Sequence, residues 1–306
     1  MRIVKYDAEN HGYVIVELIP TISGGRERGH DLKSGIMWMS LAMLFFIGMD
    51  GSAKYLTADF TVLQVIWARF TFHLLAMAVI FLPRLRSFAQ TKSHRFQVFR
   101  ALTVLVTTSC VTTSIAYIPL TEAEALASTS PLFVAVLSAP FLKETVGRKR
   151  LIGIAAGFVG VLVILRPGAS IMHPAAILAL AAGFFFAVNQ LVMRYLAFDS
   201  PLTTVFYTAV IGTVLTSIAV PFVWVAPSLQ SWGVMAMMGC LSLAGQYAIV
   251  RAFAAAPAAS VSPFCYTALL WAAIIGLFVF GDVPDLWTIA GVLVLVASGV
   301  SVIRSR

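Results

Sequence analysis

Several ionisable residues interrupt hydrophobic segments early in the chain, where a charge is costly. Asp50 and Lys54 end one apolar run, and Arg69 and His73 lie within the next. A central arginine in an apolar membrane helix costs about 2.5–3.5 kcal/mol on insertion scales, so it needs a partner away from lipid. Two consecutive antiparallel helices bring positions 50 and 69 to similar depths. We therefore predict an ion pair between Asp50 and Arg69, with Glu124 as the alternative partner of Arg69. This ion pair is either purely structural or in contact with substrate.

Lys54 and His73 extend this cluster by one helical turn each. Lys54 follows Asp50 by four residues, so the two can share a charge interaction on one helix face. His73 follows Arg69 by the same interval and is a candidate for proton relay or for a substrate hydrogen bond. A satisfied interior histidine is an equally good interpretation.

Two prolines mark sites where helical backbone is interrupted within apolar sequence. Pro131 follows the polar stretch from Glu122 to Ser130, and Pro263 follows Ser262. A proline in a helix removes one hydrogen bond and frees a carbonyl, which nearby hydroxyls or a wet cavity can satisfy. Helix–helix hydrogen bonding and plain packing are the alternatives for each side chain. The residues that we predict to line a common interior pathway are Asp50, Lys54, Arg69, His73, Glu124, Ser128, Ser130, Asn189, Gln190, Gln246, Tyr247, Tyr266 and Trp271.

Composition identifies the elements that must position these residues. Of 306 residues, 60% are hydrophobic and only 11% are charged, whereas a soluble domain carries about 25% charged residues. The chain is therefore predicted to be an all-α polytopic membrane protein. Its net charge of +8 comes mostly from short gaps between apolar runs, which indicates membrane topology rather than nucleic-acid binding.

A membrane-spanning helix needs about 20 apolar residues, and ten such segments follow one another with short connections. No soluble domain fits between them, and residues 1–33 are predicted to be a disordered cytoplasmic extension. Numbered first to tenth, the segments are 35–56, 60–82, 97–117, 122–142, 148–166, 173–194, 201–223, 232–252, 258–280 and 285–303.

The two halves of the sequence also resemble each other. Lys54-Tyr55-Leu56 and Asp59 return 140 residues later as Arg194-Tyr195-Leu196 and Asp199, and Phe45-Phe46 corresponds to Phe185-Phe186. Further on the offset is 138, which places Tyr266 opposite Ser128. We predict two repeats, 34–170 and 171–306, each of five helices. Because five is odd, the second repeat enters the membrane inverted, as in secondary transporters with a site between the halves.

Lysine and arginine set the predicted orientation. Basic residues concentrate in the N-terminal segment, in the gap after the second helix, with which we count Arg100, and in the gap after the fourth helix. The opposite gaps hold only Lys54 and Arg166. The excess of positive charge on one side places both termini in the cytoplasm.

These features resemble the drug/metabolite transporter superfamily of the EamA type. The motifs are Pro131 with Phe141-Leu142-Lys143-Glu144, then Ser262-Pro263-Phe264 with Tyr266, and Phe280-Gly281-Asp282 with Pro284-Asp285. Their pattern is similar to the branch that holds riboflavin and S-adenosylmethionine carriers; aromatic amino-acid exporters are more distant. The resemblance implies a bacterial inner-membrane carrier whose cavity is lined by the first, third, fourth, sixth, eighth and ninth segments. The fifth and tenth would lie outside it, at the periphery or in a homodimer contact.

The function predicted from the sequence is secondary transport of a small planar or zwitterionic metabolite by alternating access. Riboflavin uptake is the first substrate hypothesis, because Tyr247, Tyr266 and Trp271 offer aromatic rings for stacking, and Asn189 and Gln246 offer hydrogen bonds. S-adenosylmethionine uptake and aromatic amino-acid export are the alternatives. No cofactor, metal or nucleic-acid partner is predicted, because no motif for one is present. A membrane-embedded enzyme or a receptor is the alternative outside transport, but no catalytic constellation supports an enzyme.

Overall fold

The computed structural model describes residues 2–7, 12–17, 32–91, 93–142, 148–165, 173–193, 196, 199–256 and 261–304. The chain divides into two units, Met1–Asp31 and Leu32–Arg306. The predicted split near Pro257, the Lys143-Glu144 motif and the Arg194 echo of Lys54 lie outside the described residues.

The first unit contains an antiparallel β-hairpin. Strand β1 (Arg2–Asp7) pairs with β2 (Gly12–Glu17), with Arg2 opposite Glu17 and Asp7 opposite Gly12. We expected no regular structure before residue 34, so these twelve residues differ from the prediction. Both segments are rich in β-branched and aromatic residues, which favour strands.

The regular structure in the described part of the second unit is helical. Its long helices are α1 (Leu32–Leu56), α2 (Val62–Phe81), α4 (His94–Tyr117), α7 (Arg148–Leu165), α8 (Ala175–Met193), α9 (Pro201–Ala219), α10 (Leu229–Ala255) and α12 (Leu286–Arg304). Shorter helices are α3 (Leu85–Phe88), α5 (Leu120–Ala127), α6 (Ser130–Leu142) and α11 (Thr267–Ile275). 3₁₀ turns occupy Leu82–Arg84, Val220–Val223 and Ser262–Tyr266.

Helical structure lies in every one of the ten apolar runs, as the all-α prediction requires. Six of the described helices are long and apolar enough to cross a membrane, and shorter apolar helices lie at 155–164, 264–280 and 286–298. Local sequence explains two of the starts. The Thr61 hydroxyl accepts the Gln64 N–H at the start of α2, and the Ser228 hydroxyl accepts the Ser231 N–H at the start of α10, which satisfies otherwise unpaired donors.

The predicted fourth helix is divided into α5 and α6. Helical bonding ends at Ser128, whose N–H donates to the Glu124 carbonyl, and Thr129 caps the break by donating its hydroxyl to the Leu126 carbonyl. Pro131 then lies in the first turn of α6, where a missing N–H costs nothing. The helix therefore stops before its proline, whereas we expected the proline itself to cause the interruption.

The predicted ninth helix is interrupted at the equivalent place. A 3₁₀ turn that contains Pro263 runs to Tyr266, α11 begins at Thr267, and a π-helical turn follows at Gly276–Phe280. With the offset of 138 residues, Tyr266 corresponds to Ser128. Gly281 ends this segment with a φ of 69°, a left-handed conformation that glycine adopts without steric cost.

Helices from the two ends of the sequence pack against each other. α1 packs along α10, α4 along α8, and α2 against both α9 and α10. α7 and α12 form a separate close pair, since a Cβ on Gly160 would lie 2.9 Å from the Gly291 carbonyl oxygen. This backbone contact fits the small-residue packing expected for membrane helices.

Candidate functional site

A cavity lies among the helices of the second unit, with about 760 Å³ of empty space when the solvent at its opening is included. Its wall is formed by α1, α2, α4, α5, α6, α8, α10 and α11, with Ser128 at the break between α5 and α6 and Cys265 in the adjacent 3₁₀ turn. No described residue of α7 or α12 contributes to it.

The cavity brings together about half of the pathway residues predicted from the sequence. They come from both ends of the chain, and each is buried in the protein interior. The predicted residues that line the cavity are Asp50, Arg69, Glu124, Ser128, Ser130, Asn189 and Gln246.

Arg69 does not form the direct ion pair with Asp50 that we predicted. Its Nη1 donates to the Thr108 hydroxyl at 2.7 Å and its Nε to the Ser242 hydroxyl at 3.3 Å. Within the part of the chain that the structure describes, no carboxylate lies at ion-pair distance from this guanidinium. Asp50 nevertheless interacts with it electrostatically across the cavity. The sequence predicted a similar depth for the two side chains, whereas helix rotation directs Arg69 toward α4 and α10.

Lys54 also differs from its prediction. Its Nζ lies 2.6 Å from Asp282 Oδ2 and 5.0 Å from the centre of the Phe280 ring. The Leu120 N–H donates to the same carboxylate oxygen at 3.4 Å. Lys54 therefore connects α1 to the segment after the π-helical turn instead of sharing Asp50, and it does not line the cavity.

His73 lies behind the wall, not in it. Its Nδ1 is 3.2 Å from the Ser242 hydroxyl, and its Nε2 has no hydrogen-bond partner among the described residues. Since Ser242 also accepts from Arg69, the histidine supports Arg69 through one shared hydroxyl. His73 is therefore not placed to contact a molecule in the cavity directly.

Asp50 and Glu124 bring two acids together at the cavity. Asp50 on α1 and Glu124 on α5 are 6% and 7% exposed, and their carboxyl groups interact electrostatically. Glu124 Oε1 has no hydrogen-bond partner among the described residues.

The other predicted pathway residues lie away from the wall. Gln190 is buried with both amide atoms unpaired, and the Tyr266 hydroxyl and Trp271 Nε1 also lack partners among the described residues. Tyr247 instead accepts a hydrogen bond from Arg251 at 2.9 Å and packs edge-on against Trp38.

The sequence reasoning missed Arg100. We counted it with the basic gap after the second helix, but α4 begins at His94 and encloses Arg100, which is 1% exposed. Its guanidinium donates to the Thr208 hydroxyl at 2.6 Å and to Gln246 Oε1 at 3.0 Å. Arg100 therefore orients a wall amide. Its position inside the apolar run from residue 97 was the available signal.

Two phenylalanines supply the aromatic surface that we had assigned to Tyr247, Tyr266 and Trp271. Phe46 on α1 and Phe186 on α8 both line the cavity. They are equivalent residues in the internal repeat, 140 positions apart, so the repeat contained the signal. Thr107 and Thr108 of α4, also missed, add hydroxyls to the wall.

Methionine makes part of the apolar wall deformable. Met43 and Met49 line the cavity, and Met39 lies behind Cys265 with the two sulfur atoms 3.6 Å apart. Unbranched thioether chains fill irregular gaps and adapt to their neighbours. The site thus combines a soft apolar lining and two rings with an arginine, an acid pair and several neutral polar groups. This combination is suited to holding a small ring-bearing molecule.

Comparisons with known proteins match both halves of the chain. A model of the EamA-like transporter family matches it twice, at residues 33–166 and 173–304. One solved crystal structure matches with a TM-score of 0.65 and 16% identity, covering 88% of this chain and 96% of the other. At that identity the match shows the fold alone.

Curated relatives span nearly the same length. A riboflavin transporter of Vibrio cholerae is 31% identical over 276 residues, which cover 87% of this chain and 92% of that protein. An S-adenosylmethionine uptake transporter of Rickettsia bellii is 24% identical, covering 89% and 94%. A pseudopaline exporter of Pseudomonas aeruginosa is 28% identical, covering 90% and 98%.

Proposed function

The chain belongs to the EamA-like transporter family, and we propose that it carries riboflavin across a bacterial inner membrane by alternating access. Membrane transport of a small metabolite follows from the family and its relatives, and riboflavin is the specific hypothesis. The observation that carries it is the cavity with Phe46 and Phe186 in its wall. Aromatic rings favour stacking with a planar ring system, and Asn189 and Gln246 offer amides to orient it. The relative from Vibrio cholerae supports the same substrate.

The proposed architecture is a ten-helix carrier built from two inverted five-helix repeats, with both termini in the cytoplasm. Two matches of one family model, at 33–166 and 173–304, support the duplication. The helix interruptions at Ser128 and Tyr266 occur at equivalent positions, which also supports it. The odd number of helices in each repeat and the distribution of basic residues support the inversion.

Growth and uptake test the substrate. Expression in a riboflavin-requiring bacterium should allow growth on limiting riboflavin, and purified protein in liposomes should take up labelled riboflavin. Arg69→Ala should reduce uptake at least about 10-fold, because it removes a guanidinium from the cavity wall, and one charge-assisted hydrogen bond to a bound molecule contributes roughly 1.5–3 kcal/mol. Arg69→Lys should be intermediate, since lysine keeps the charge without the planar fork. Arg95→Ala, on the exposed start of α4, is the matched control.

S-adenosylmethionine is the second candidate, favoured by the relative from Rickettsia bellii and by Asp50 and Glu124 in the wall. A carboxyl pair can accept a cationic group that riboflavin lacks. Competition separates the two: unlabelled riboflavin should displace labelled riboflavin, whereas S-adenosylmethionine should not. Uptake of S-adenosylmethionine or of an aromatic amino acid without uptake of riboflavin would refute the substrate assignment while leaving the carrier intact.

A further inference from the structure

Asp50 and Glu124 form an acid pair, placed in the cavity wall by two different helices. Both carboxyl groups are more than nine-tenths buried, both line the cavity, and Glu124 Oε1 has no partner among the described residues. The two carboxyl groups interact electrostatically, and two carboxylates that share a low-dielectric site repel each other, so one bound proton relieves the repulsion. The pair is therefore placed to hold a proton at the cavity.

The surrounding charges keep this proton exchangeable. Arg69 faces the pair from α2 and has only hydroxyl partners, Thr108 and Ser242, so its charge is not cancelled by a direct ion pair within the described residues. With one shared proton the pair carries a single negative charge, which Arg69 balances. After release the pair carries two negative charges, and Arg69 is the cation available to stabilise it. Other ionisable groups on the elements packed around the pair include Lys54 on α1, His73 on α2, Arg100 and Cys110 on α4, Glu122 on α5, Tyr247 and Arg251 on α10, and Cys265 and Tyr266 in the 3₁₀ turn.

We propose that Asp50 and Glu124 are the proton-binding site that couples transport to the pH difference across the membrane. The pair takes up one proton when the cavity opens to the acidic side and releases it on the opposite side. One proton thus crosses with one neutral substrate molecule, and no bond in the substrate changes. Coupling to substrate movement rests on the proposed transport function, whereas possession of the shared proton does not.

Infrared spectroscopy tests the shared proton without any substrate. Protein in lipid at neutral pH should show the carbonyl stretch of a protonated carboxylic acid. That band should disappear in Asp50→Asn and in Glu124→Gln, because each removes one half of the pair. Asp59→Asn, an exposed acid in the turn after α1, should retain it. A wild-type spectrum without the band, or a band that survives both substitutions, would overturn the proposal.

Liposomes test the coupling. With the membrane potential clamped, one-to-one coupling should concentrate labelled riboflavin about 10-fold for each pH unit. Asp50→Asn and Glu124→Gln should abolish this accumulation, whereas Asp59→Asn should retain it. Gel filtration of the two purified variants checks that they fold. Wild-type accumulation that is indifferent to the pH gradient would refute coupling. Wild-type vesicles that neither accumulate nor exchange riboflavin would instead refute the substrate assignment, and the infrared band alone would then decide whether the pair holds a proton.

Discussion

The contact between Lys54 and Asp282 allows a quantitative test of how strongly α1 is held to the segment after the π-helical turn. The charged atoms lie 2.6 Å apart, and the side chains are only 18% and 22% exposed. Phe280 and the Leu120 N–H add a cation–π contact and a further hydrogen bond. Lys54→Met, Asp282→Asn and the double variant form a cycle that isolates the interaction.

The expected energy lies between two known limits. Coulomb attraction at this distance is on the order of 6 kcal/mol at an effective dielectric constant of 20, and desolvation of both ions offsets most of it. Fully exposed pairs contribute about 0.2–1 kcal/mol, whereas removing one partner of a buried pair costs about 3–5 kcal/mol. With about four-fifths of each side chain shielded from water, each single variant should lose about 2 kcal/mol. The coupling energy should be about 1–2 kcal/mol.

The assay is unfolding of purified protein in mixed micelles, followed by tryptophan emission. Trp67, Trp224 and Trp232 pack together, so their emission should report loss of tertiary structure. Lys33→Met and Asp59→Asn, at exposed positions, form the matched control cycle, which should show no coupling. If the effects of the Lys54 and Asp282 substitutions simply add, the contact does not join these segments energetically.

Two further substitutions test packing in the same unfolding assay. Arg100→Met should lower the unfolding free energy by about 1–3 kcal/mol, because it leaves the buried Gln246 amide oxygen without its donor; stability equal to wild type would contradict the hydrogen bonding described for Arg100. Gly160→Ala should cost about 1–3 kcal/mol, since its Cβ would press on the Gly291 carbonyl oxygen. Gly233→Ala, with open space around it, should retain stability or gain up to about 1 kcal/mol, and equal losses in both glycine variants would refute the close contact.

The positions of the helices could be predicted closely from the sequence because lipid imposes a length and an apolar composition on each crossing. The sixth predicted segment, 173–194, compares with α8 at Ala175–Met193. The two strands Arg2–Asp7 and Gly12–Glu17 are too short to cross a membrane, so lipid imposes no such length or composition on them. Their strand propensity was visible, but a hairpin also needs a turn between its strands, and no turn motif was recognised there.

The contacts within the site were harder to predict because sequence gives depth along a helix better than rotation about its axis. Asp50 and Arg69 were placed correctly in the interior, yet Arg69 reaches Thr108 and Ser242 on two other helices. Tyr247 was chosen for its chemistry, but it packs on Trp38 and Arg251 outside the cavity wall. Contacts of this kind depend on the packing of several helices at once.

The methionines in the cavity wall have a consequence for how this protein can change its preference over evolution. Met43 and Met49 move by rotation about single bonds, so a ring with a different outline is accommodated without displacing a helix. The shape of the cavity then discriminates weakly between candidate molecules, and selectivity depends on the few polar groups beside the two methionines. We therefore expect an exchange at Asn189 or Gln246 to alter the choice of metabolite more than an exchange at Met43 or Met49.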